Sequence, residues 1–348
     1  MKTYKKLYKQ LISISSLQTA YWNARRHKNT PAIEEFHKNH ILNIFRLHLE
    51  LKNKTYMPQP MKTFILRDPK TRTICVSDFR DRIVHHALVN VLQPIYEPRF
   101  IFDSYASRRG KGTLPAVKRL EKYLHKVTRN GVLRPDAKTK NDVMGYVLKA
   151  DIRHYFDTVD HDVLIEILSK KIKDEELLWL LRILLQNYNS GRDGKGMPLG
   201  NWTSQFFANV YLNELDAFIK QVMKIKYYVR YVDDFVILHR SGRVLQEYKL
   251  KIDTFLKTLK LELHPQKCNI TPLKNGIHFV GYAIFYYHKR IRKRNIRKIF
   301  SKIHLFLDMY KQNNNSYETI LEILCGWKAY AMHANTYQLC NKIQKIIK

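Results

Sequence analysis

Apolar residues recur at helical spacing along much of the chain. Residues 1–60 show this pattern, for example at Leu11, Ile14 and Leu17, and it is typical of amphipathic helices. Helical spacing returns in five later segments, which are residues 79–97, 114–127, 161–187, 203–223 and 244–261. The pattern predicts a protein rich in helices, with a helical N-terminal extension over residues 1–60.

Strand-forming segments lie between these helices. Residues 62–76 predict two short strands around a turn of Asp, Pro, Lys and Thr, and GYVLKADI at 145–152 is typical of a buried strand. Residues 226–239 predict a β-hairpin with two adjacent aspartates at its tip, and residues 268–287 predict two or three further short strands. Helices combined with hairpins of this kind predict the α+β fold class.

Two segments differ in composition from the rest. Residues 128–144 are polar and contain Gly and Pro, which indicates a surface insertion loop. Residues 288–348 are predicted to form a separate, very basic helical unit. Its charge suits packing along a phosphate backbone, and a solvated helical face is the alternative interpretation.

The charge of the chain indicates a polyanionic partner. The 348 residues include 62 Lys and Arg against 30 Asp and Glu, which gives a net charge of +32. Such an excess is most often a sign of nucleic-acid binding. A bias of the coding sequence toward lysine is the alternative, but acidic residues are scarce as well. Hydrophobic residues make up 45% of the chain, which is enough for a real core.

The sequence argues against several other kinds of protein. No stretch approaches the roughly 18 consecutive apolar residues of a transmembrane helix, so no membrane is expected as a partner. The basic start is interrupted by Ser, Gln and Thr, so a signal peptide is not expected. The four cysteines lie far apart without a CxxC motif, which argues against a zinc site or a disulfide framework and suits a reducing cytosol. His85 and His86 sit in an apolar run and are interpreted as structural.

Three carboxylates are the strongest sign of chemistry. Asp233 and Asp234 are adjacent at the hairpin tip, where like charges repel, and Asp151 ends the predicted strand 145–152. Ordinary turn and helix-cap roles are the alternatives. If that strand pairs with the hairpin, the carboxylates converge and suit Mg²⁺. Two ions about 4 Å apart can activate a 3′-hydroxyl and stabilise a departing pyrophosphate, which is nucleotidyl transfer.

The motifs around these carboxylates carry a family resemblance. KADIRHYFDTVDH, YVDD and MPLGNWTSQFFANVYLNELD occur in the order found in reverse transcriptases. The chain resembles the bacterial, group II intron-related enzymes, and most resembles those of diversity-generating retroelements, over roughly residues 60–290. The resemblance implies a right-hand polymerase with an antiparallel-sheet palm. It implies an N-terminal extension at 1–60, fingers at 61–144, a catalytic palm at 145–287 and a basic helical thumb at 288–348.

The resemblance implies a metal site and a steric gate. Asp151, Asp233 and Asp234 would bind two Mg²⁺ ions, for which Mn²⁺ could substitute, and the carbonyl of Ile152 would assist. Phe156 falls on the position whose aromatic ring clashes with a 2′-hydroxyl and so favours dNTPs. A simple core aromatic is the alternative for Phe156.

The motif between the carboxylates departs from most of the superfamily. The common pattern is Gln-Gly-x-x-x-Ser-Pro, whereas this chain has Leu199, Gly200, Ser204 and Gln205 at the defining positions. Gly200 would let the backbone approach the incoming dNTP, and Ser204 would open the following helix. Leu199 replaces a polar dNTP contact, a form typical of the diversity-generating subfamily, which misincorporates opposite template adenine. A neutral variant is the alternative.

Several basic residues are implied to contact phosphates. The fingers motif at 62–88 supplies three cations for the triphosphate of the dNTP, and these are Arg67, Lys70 and Arg72. The motif SYASRRGKGT supplies three cations for the template and primer, and these are Arg108, Arg109 and Lys111. Solvated surface charge is the alternative for each.

Two later motifs complete the implied site. LHPQKCNI places Lys267 near the leaving pyrophosphate, where it could act as a general acid. HFVGY resembles the primer grip, with Phe279 and Tyr282 on either side of Gly281. An ordinary core hairpin is the alternative for this last motif.

The sequence therefore predicts an RNA-directed DNA polymerase. The resemblance implies mutagenic copying of a template-repeat RNA, with template RNA, cDNA or primer, dNTPs and a small basic accessory protein as partners. It implies the cytoplasm of a bacterial, phage or archaeal host. A retron or phage-defence reverse transcriptase is one alternative, and a non-catalytic RNA-binding or splicing-helper protein with the same fold is another.

Overall fold

A computed structural model describes residues 2–67, 71–188, 190–191, 193–312 and 317–347. The chain packs into two compact units. The first unit comprises residues 1–107, 152–224 and 251–265, and the second comprises residues 108–151, 225–250 and 266–348. Helices and antiparallel sheets both occur, so the predicted α+β fold class is confirmed.

The helices lie close to the segments that the sequence predicted. In chain order they are α1 (Leu7–Ile12), α2 (Ile14–Arg25), α3 (Pro31–Lys38), α4 (His40–Lys52), α5 (Phe79–Tyr96), α6 (Thr113–Val127), α7 (Tyr155–Thr158), α8 (His161–Ser169), α9 (Glu175–Gln186), α10 (Trp202–Ala217), α11 (Gly242–Thr258), α12 (Lys293–Lys311), α13 (Tyr317–Ala331) and α14 (Tyr337–Ile347). A π-helical turn over Phe218–Val222 continues α10, and short 3₁₀ helices cover Glu97–Arg99 and Leu273–Asn275.

The strands of the described residues form three antiparallel sheets. In chain order the strands are β1 (Lys62–Leu66), β2 (Arg72–Val76), β3 (Tyr146–Asp151), β4 (Tyr228–Tyr231), β5 (Asp234–His239), β6 (Asn269–Pro272), β7 (Ile277–Phe279), β8 (Tyr282–Ile284) and β9 (Lys289–Ile291). Their orders are β1-β2, β4-β5-β3-β6 and β7-β8-β9.

In the first unit, α5 is the central helix. It packs against α2 and α10, and most of its apolar residues between Phe79 and Tyr96 are buried. Its one fully enclosed imidazole, His85, lies 3.1 Å from the Ser77 hydroxyl and 2.9 Å from the Thr203 hydroxyl. Burial, followed by repulsion from His86, lowers the pKa of His85 to about 3. The neutral ring is therefore a hydrogen-bonded core group, in agreement with the structural interpretation.

In the second unit, the four-stranded sheet packs against α6 through β4 and β5. Val147, Leu148 and Ala150 of β3 are buried, and β5 and β6 pair with the two edges of β3. The segment 128–144 forms the predicted irregular loop, which a bridge between Leu133 and Val143 closes.

The tail differs from its prediction at its beginning. Residues 288–348 were expected to be helical, but β9 pairs with β8 before the first tail helix begins at Lys293. The helices α12 and α14 then share a small apolar core around Ile299, Ile303 and Ile343. No helix among the described residues combines the length and the apolar character needed to cross a bilayer.

Candidate active site

The three predicted carboxylates meet at one end of the four-stranded sheet. β3 runs antiparallel to β5, and Asp151 stands directly opposite Asp234 in their register. Asp233 lies in the tight turn between β4 and β5. Directly opposed residues of antiparallel strands have Cβ atoms about 5 Å apart. The expected pairing of the strand with the hairpin is therefore confirmed.

The turn that presents Asp233 has a strained backbone. Val232 has a φ of +56°, which is unusual for a β-branched residue. The Arg230 side chain is completely buried and donates a hydrogen bond from Nη1 to the Val232 carbonyl at 3.0 Å. This contact stabilises the turn and hence the position of the next residue, Asp233. The sequence analysis did not identify Arg230, although an arginine within the apolar run YYVRYV was a usable signal.

Burial and mutual repulsion destabilise the charged form of the carboxylates. The pKa of Asp233 is raised to about 6, first by burial and then by repulsion from Asp151 and Asp234. Burial also raises the pKa of Asp234, and the Lys149 ammonium opposes this shift. Such a cluster favours the approach of positive charge.

Two lysines of the same unit supply part of that charge. Lys267 Nζ lies 3.2 Å from Asp151 Oδ1, and Lys149 Nζ lies 3.4 Å from Asp234 Oδ1. Among the described residues, that Asp234 oxygen accepts no hydrogen bond. Lys149 precedes Asp151 by two residues on β3, so both side chains point to the same face of the sheet. Lys267, which was predicted to lie near the leaving pyrophosphate, is therefore found beside the Asp151 carboxylate.

The donor set fits a hard divalent cation. Carboxylate oxygens are preferred Mg²⁺ ligands, and Asp234 Oδ1 is a buried acceptor without a hydrogen bond. Within the described ranges, no three His, Cys, Asp or Glu side chains are grouped tightly enough to hold a metal ion. The ammonium groups of Lys149 and Lys267 lie beside the carboxylates, where a metal cation would also bind.

The implied nucleotide-binding residues come together in the first unit. The Met197 amide donates to the Phe156 carbonyl at 2.7 Å, and the Cys75 amide of β2 donates to the Leu199 carbonyl at 3.2 Å. Gly200 has a φ of +128°, and a Cβ atom there would lie only 3.0 Å from the Cys75 carbonyl oxygen. Only glycine therefore lets this segment lie so close to β2.

The predicted triphosphate ligands lie at the end of the β1–β2 hairpin. Arg72 begins β2 opposite Leu66, and Arg67 directly follows β1. Both arginines are exposed, so their charges are available to a ligand. Lys70 lies outside the described residues.

One helix-capping prediction was wrong. α10 begins at Trp202 with Asn201 as its N-cap, and Ser204 is a buried residue within the first turn. The Asn201 side chain does not cap the helix, because its amide exchanges hydrogen bonds with Ser77 instead. Gln205 is exposed and accepts a hydrogen bond from the Ser107 hydroxyl at 3.1 Å.

The other predicted contacts are distributed over both units. Ile152 is a buried residue of the first unit, and its backbone forms a bridge with Leu263. In the second unit, Arg109 is exposed, and Arg108 and Lys111 are half-buried in the loop before α6.

The predicted primer-grip residues form the β7–β8 hairpin. Phe279 pairs with Tyr282, and both side chains are buried, which favours a core role for the rings. Gly281 in the turn has a φ of +95° and accepts a hydrogen bond from the Tyr330 hydroxyl at 3.0 Å. Tyr282 in turn donates to the Tyr330 carbonyl at 3.0 Å. Tyr330 was missed because nothing in its local sequence links it to this hairpin.

Comparison with known proteins gives a family match. The sequence matches the family model described as reverse transcriptase (RNA-dependent DNA polymerase) over residues 58–284. It is 24% identical over 380 aligned positions to the group II intron-encoded protein LtrA of Lactococcus lactis subsp. cremoris, covering 87% of this chain and 59% of that protein. The chain thus spans less than two thirds of the length of that relative. It is 25% identical over 286 positions to protein YkfC of Escherichia coli K12, covering 71% of this chain and 70% of that protein.

Solved structures also resemble this chain. The telomerase of Candida tropicalis in complex with a TWJ fragment of telomeric RNA is 15% identical, with a TM-score of 0.49. The superposition covers 80% of this chain and 55% of that chain.

Proposed function

We propose that this chain, which belongs to the reverse transcriptase family, synthesises DNA on an RNA template. One observation carries the proposal: Asp151 stands opposite Asp234 in the sheet, with Asp233 in the adjoining turn. This arrangement brings three carboxylates that repel one another to one end of the sheet, and carboxylate oxygens are the ligands that Mg²⁺ prefers.

The carboxylates would hold two Mg²⁺ ions, with Mn²⁺ as a substitute. Asp151, Asp233 and Asp234 would bind them with help from the Ile152 carbonyl. The ions, when bound, would lower the pKa of the primer 3′-hydroxyl and stabilise the charge of the leaving pyrophosphate. The protein's own part is to hold three anionic side chains together, and the buried Arg230 stabilises the turn that carries Asp233.

Lys267 is proposed as the general acid. Its Nζ is held beside Asp151 Oδ1 and is nearly half exposed, with 46% of the side chain accessible. From this position the ammonium would donate its proton to the pyrophosphate oxygen as the bond to the α-phosphorus breaks. Lys149 would remain beside Asp234 and offset the charge of that carboxylate.

The first unit is proposed to select the dNTP. Arg67 and Arg72, with Lys70, would hold the triphosphate. The Phe156 ring would exclude a 2′-hydroxyl, and the open backbone at Gly200 would approach the base. Two backbone hydrogen bonds support this assignment, because one holds Phe156 to Met197 and the other holds Leu199 to Cys75 of β2.

The template and primer are proposed to contact several basic residues and turn residues. Arg108, Arg109 and Lys111 would bind phosphates, and Ser204 and Gln205 would lie along the strand. Gly281 would offer backbone to the primer end, with Phe279 and Tyr282 packed beneath it. The proposed fingers (61–144), palm (145–287) and basic thumb (288–348) follow the family pattern.

The biological setting is proposed to be mutagenic copying in a diversity-generating retroelement. Leu199, in place of the common glutamine, removes a polar constraint on the dNTP, and this supports looser base selection. A structured template-repeat RNA and a small basic accessory protein would be the partners, in the cytoplasm of a bacterial, phage or archaeal host. A retron or phage-defence enzyme would share the chemistry. A non-catalytic RNA-binding or splicing-helper protein with a polymerase fold is a further alternative.

Primer extension on a defined RNA template tests the proposal. Wild-type protein should make DNA only with Mg²⁺ or Mn²⁺, and the Asp233→Asn plus Asp234→Asn variant should make none. Asp136→Asn, in an exposed loop, is the matched control and should retain activity. If the wild-type protein makes no DNA even when the native RNA and the accessory protein are supplied, the proposal is contradicted.

Sequencing the same product tests the subtype. Errors concentrated opposite template adenine, and reduced by Leu199→Gln, would support the diversity-generating setting. If the wild-type product is accurate, the proposed polymerase activity stands, and the result favours a retron or phage-defence enzyme over the diversity-generating subtype.

A further inference from the structure

The insertion loop of residues 128–144 has no role in the proposed chemistry. It precedes β3, which begins at Tyr146 and ends at Asp151, so the two ends of this strand lie five residue steps or roughly 17 Å apart. The Arg134 guanidinium lies 6.0 Å from the centre of the Tyr146 ring, which keeps the loop near that end. The loop therefore lies away from the carboxylates, within the second unit.

The two acidic side chains of the loop are engaged by the loop itself. The Asp142 carboxylate accepts hydrogen bonds from the backbone amides of Lys138 and Thr139, at 2.7 and 2.8 Å. Arg134 Nε donates to the Asp136 carboxylate at 3.0 Å. Lysines and arginines supply all other charges of this segment, so its surface attracts anions.

The loop packs against the turn between β8 and β9. The Phe285 amide donates to the His288 carbonyl at 2.9 Å and closes this turn. A Cβ atom at Gly131 would lie 2.8 Å from Tyr286 Cε1, so the loop backbone contacts the Tyr286 ring directly. The His125 ring of α6 lies on the same tyrosine, with ring centroids 4.5 Å apart. The loop and α6 together thus fix the turn through Tyr286.

Tyr287 presents an aromatic surface beside this fixed ring. The residue is 52% exposed, and its ring meets that of Tyr286 at 80° with centroids 4.6 Å apart. The Lys140 ammonium lies 5.4 Å from the centre of the Tyr287 ring. A held, exposed ring can stack on an unpaired nucleobase, and a cation next to it can bind the phosphate of the same nucleotide.

A second cation lies at the same turn. Burial, followed by the charges of Arg290 and Lys140, lowers the pKa of His288, the residue after Tyr287. The Arg290 guanidinium lies 5.5 Å from the centre of the Phe285 ring, on which His288 stacks. Neither cation is paired with a carboxylate in the part of the chain that the structure describes. Two such cations at one turn favour a bound phosphate.

We propose that the surface formed by residues 128–144 and the β8–β9 turn, here called the loop–turn surface, binds an unpaired nucleotide of an RNA strand. The base would stack on Tyr287, and the phosphate would lie beside Lys140 and Arg290. The inference deepens the proposed function, since it rests on the enzyme working on a structured template RNA. The loop–turn surface would anchor that RNA and take no part in bond formation.

Binding of a stem-loop RNA tests the proposal. The probe is a fluorescein-labelled RNA hairpin with a loop of adenosines, and its anisotropy is measured without dNTP or divalent metal. A raised salt concentration weakens the sequence-independent phosphate contacts, so that stacking contributes more of the measured affinity. Tyr287→Ala should bind roughly 5- to 100-fold more weakly than wild type, because base stacking is lost. Tyr287→Phe keeps a ring and should bind like wild type.

A pair of lysine variants provides a matched comparison. Lys140→Gln and Lys138→Gln each remove one exposed cation from the same loop, and Lys140 is the one beside the Tyr287 ring. Lys140→Gln should therefore weaken RNA binding more than Lys138→Gln does. Equal losses would show only a general attraction between charges and would overturn the proposed site. Because both positions are exposed, this comparison remains decisive if Tyr287→Ala does not fold.

Three other results would also overturn the proposal. The first is wild-type RNA affinity in folded Tyr287→Ala. The second is equal competition by a fully paired RNA duplex, since its base faces are already stacked. The third is loss of accessory-protein binding in Tyr287→Ala without loss of hairpin binding, which would make the loop–turn surface a protein site.

The test is separate from that of the polymerase proposal. The binding assay contains neither dNTP nor metal, so a wild-type protein that makes no DNA would remove the proposed function and leave the binding result standing. On a short primer–template without the hairpin, Tyr287→Ala should extend the primer at the wild-type rate. Slow extension there would assign Tyr287 to the catalytic site and contradict a separate anchoring surface.

Discussion

Replacement of Gly200 by alanine is a direct test of the proposed dNTP-binding site. Gly200 has a φ of +128°, and an added Cβ would lie 3.0 Å from the Cys75 carbonyl oxygen and 3.1 Å from Ile74 Cγ2. Both contacts are on β2, the strand that begins at Arg72. The new methyl group must therefore displace β2 or bend the Leu199–Gly200 segment.

The expected energy has two parts. A side chain in this backbone region costs about 1–3 kcal/mol, and forcing an extra methyl into a packed site costs about 1–3 kcal/mol more. The Gly112→Ala variant separates the two energy costs, because Gly112 has the same φ of +128° but no atom within 4 Å of an added Cβ. Gly112→Ala thus carries the backbone cost alone.

The assay combines chemical denaturation with primer extension. Both variants should unfold more easily than wild type, and Gly200→Ala should lose more free energy of unfolding than Gly112→Ala. Gly200→Ala should also raise the KM for dNTP by roughly tenfold, since about 1.4 kcal/mol of pocket binding is a factor of ten. Equal losses of stability in the two variants, together with an unchanged KM for dNTP, would refute the reasoning.

Three further predictions concern stability and the β7–β8 hairpin. The pKa of His85 is about 3 in the folded protein and near 6.5 in the unfolded chain, so its contribution to the free energy of unfolding is complete above pH 6.5. That contribution falls by about 1.4 kcal/mol per pH unit as the pH drops below 6.5. In a pH series of urea melts, the free energy of unfolding should depend less on pH in His85→Gln than in wild type. Tyr330→Phe should destabilise the protein by about 1 kcal/mol by removing the bond to Gly281, and wild-type primer affinity in this variant would contradict a role of that turn in primer binding. Asp160→Ala removes a helix cap as well as the ion pair with Lys260 and should lower the free energy of unfolding by about 1–2 kcal/mol. Lys260→Ala should cost less, because the Lys260 ammonium is half exposed. If thermal melts show a larger loss for Lys260→Ala than for Asp160→Ala, the cap contributes little.

The pairing of β3 with the β4–β5 hairpin was predictable because the pattern was local and strong. The run GYVLKAD is apolar up to its last residue, apart from Lys149, and the acids of YVDD interrupt an apolar hairpin. A buried strand and a buried hairpin can satisfy their backbones only by pairing, which brings Asp151 to Asp234.

Other features depend on contacts that are remote in the chain. Tyr330 reaches the Gly281 turn from α13, and Asn201 gives up its cap role because Ser77 offers a competing partner. Neither contact has a local signal. β9 is too short, at three residues, for alternation to separate it from the start of a basic helix.

The central claim is that Asp151, Asp233 and Asp234 act together as the metal-binding catalytic site. The most direct test is the rate of single-nucleotide incorporation as a function of Mg²⁺ concentration, in wild type and in the three single Asp→Asn variants. Each variant should lose at least about 3 kcal/mol of catalysis, roughly a 100-fold slower rate, with a higher Mg²⁺ requirement. Wild-type rates and wild-type Mg²⁺ dependence in all three variants would contradict the account.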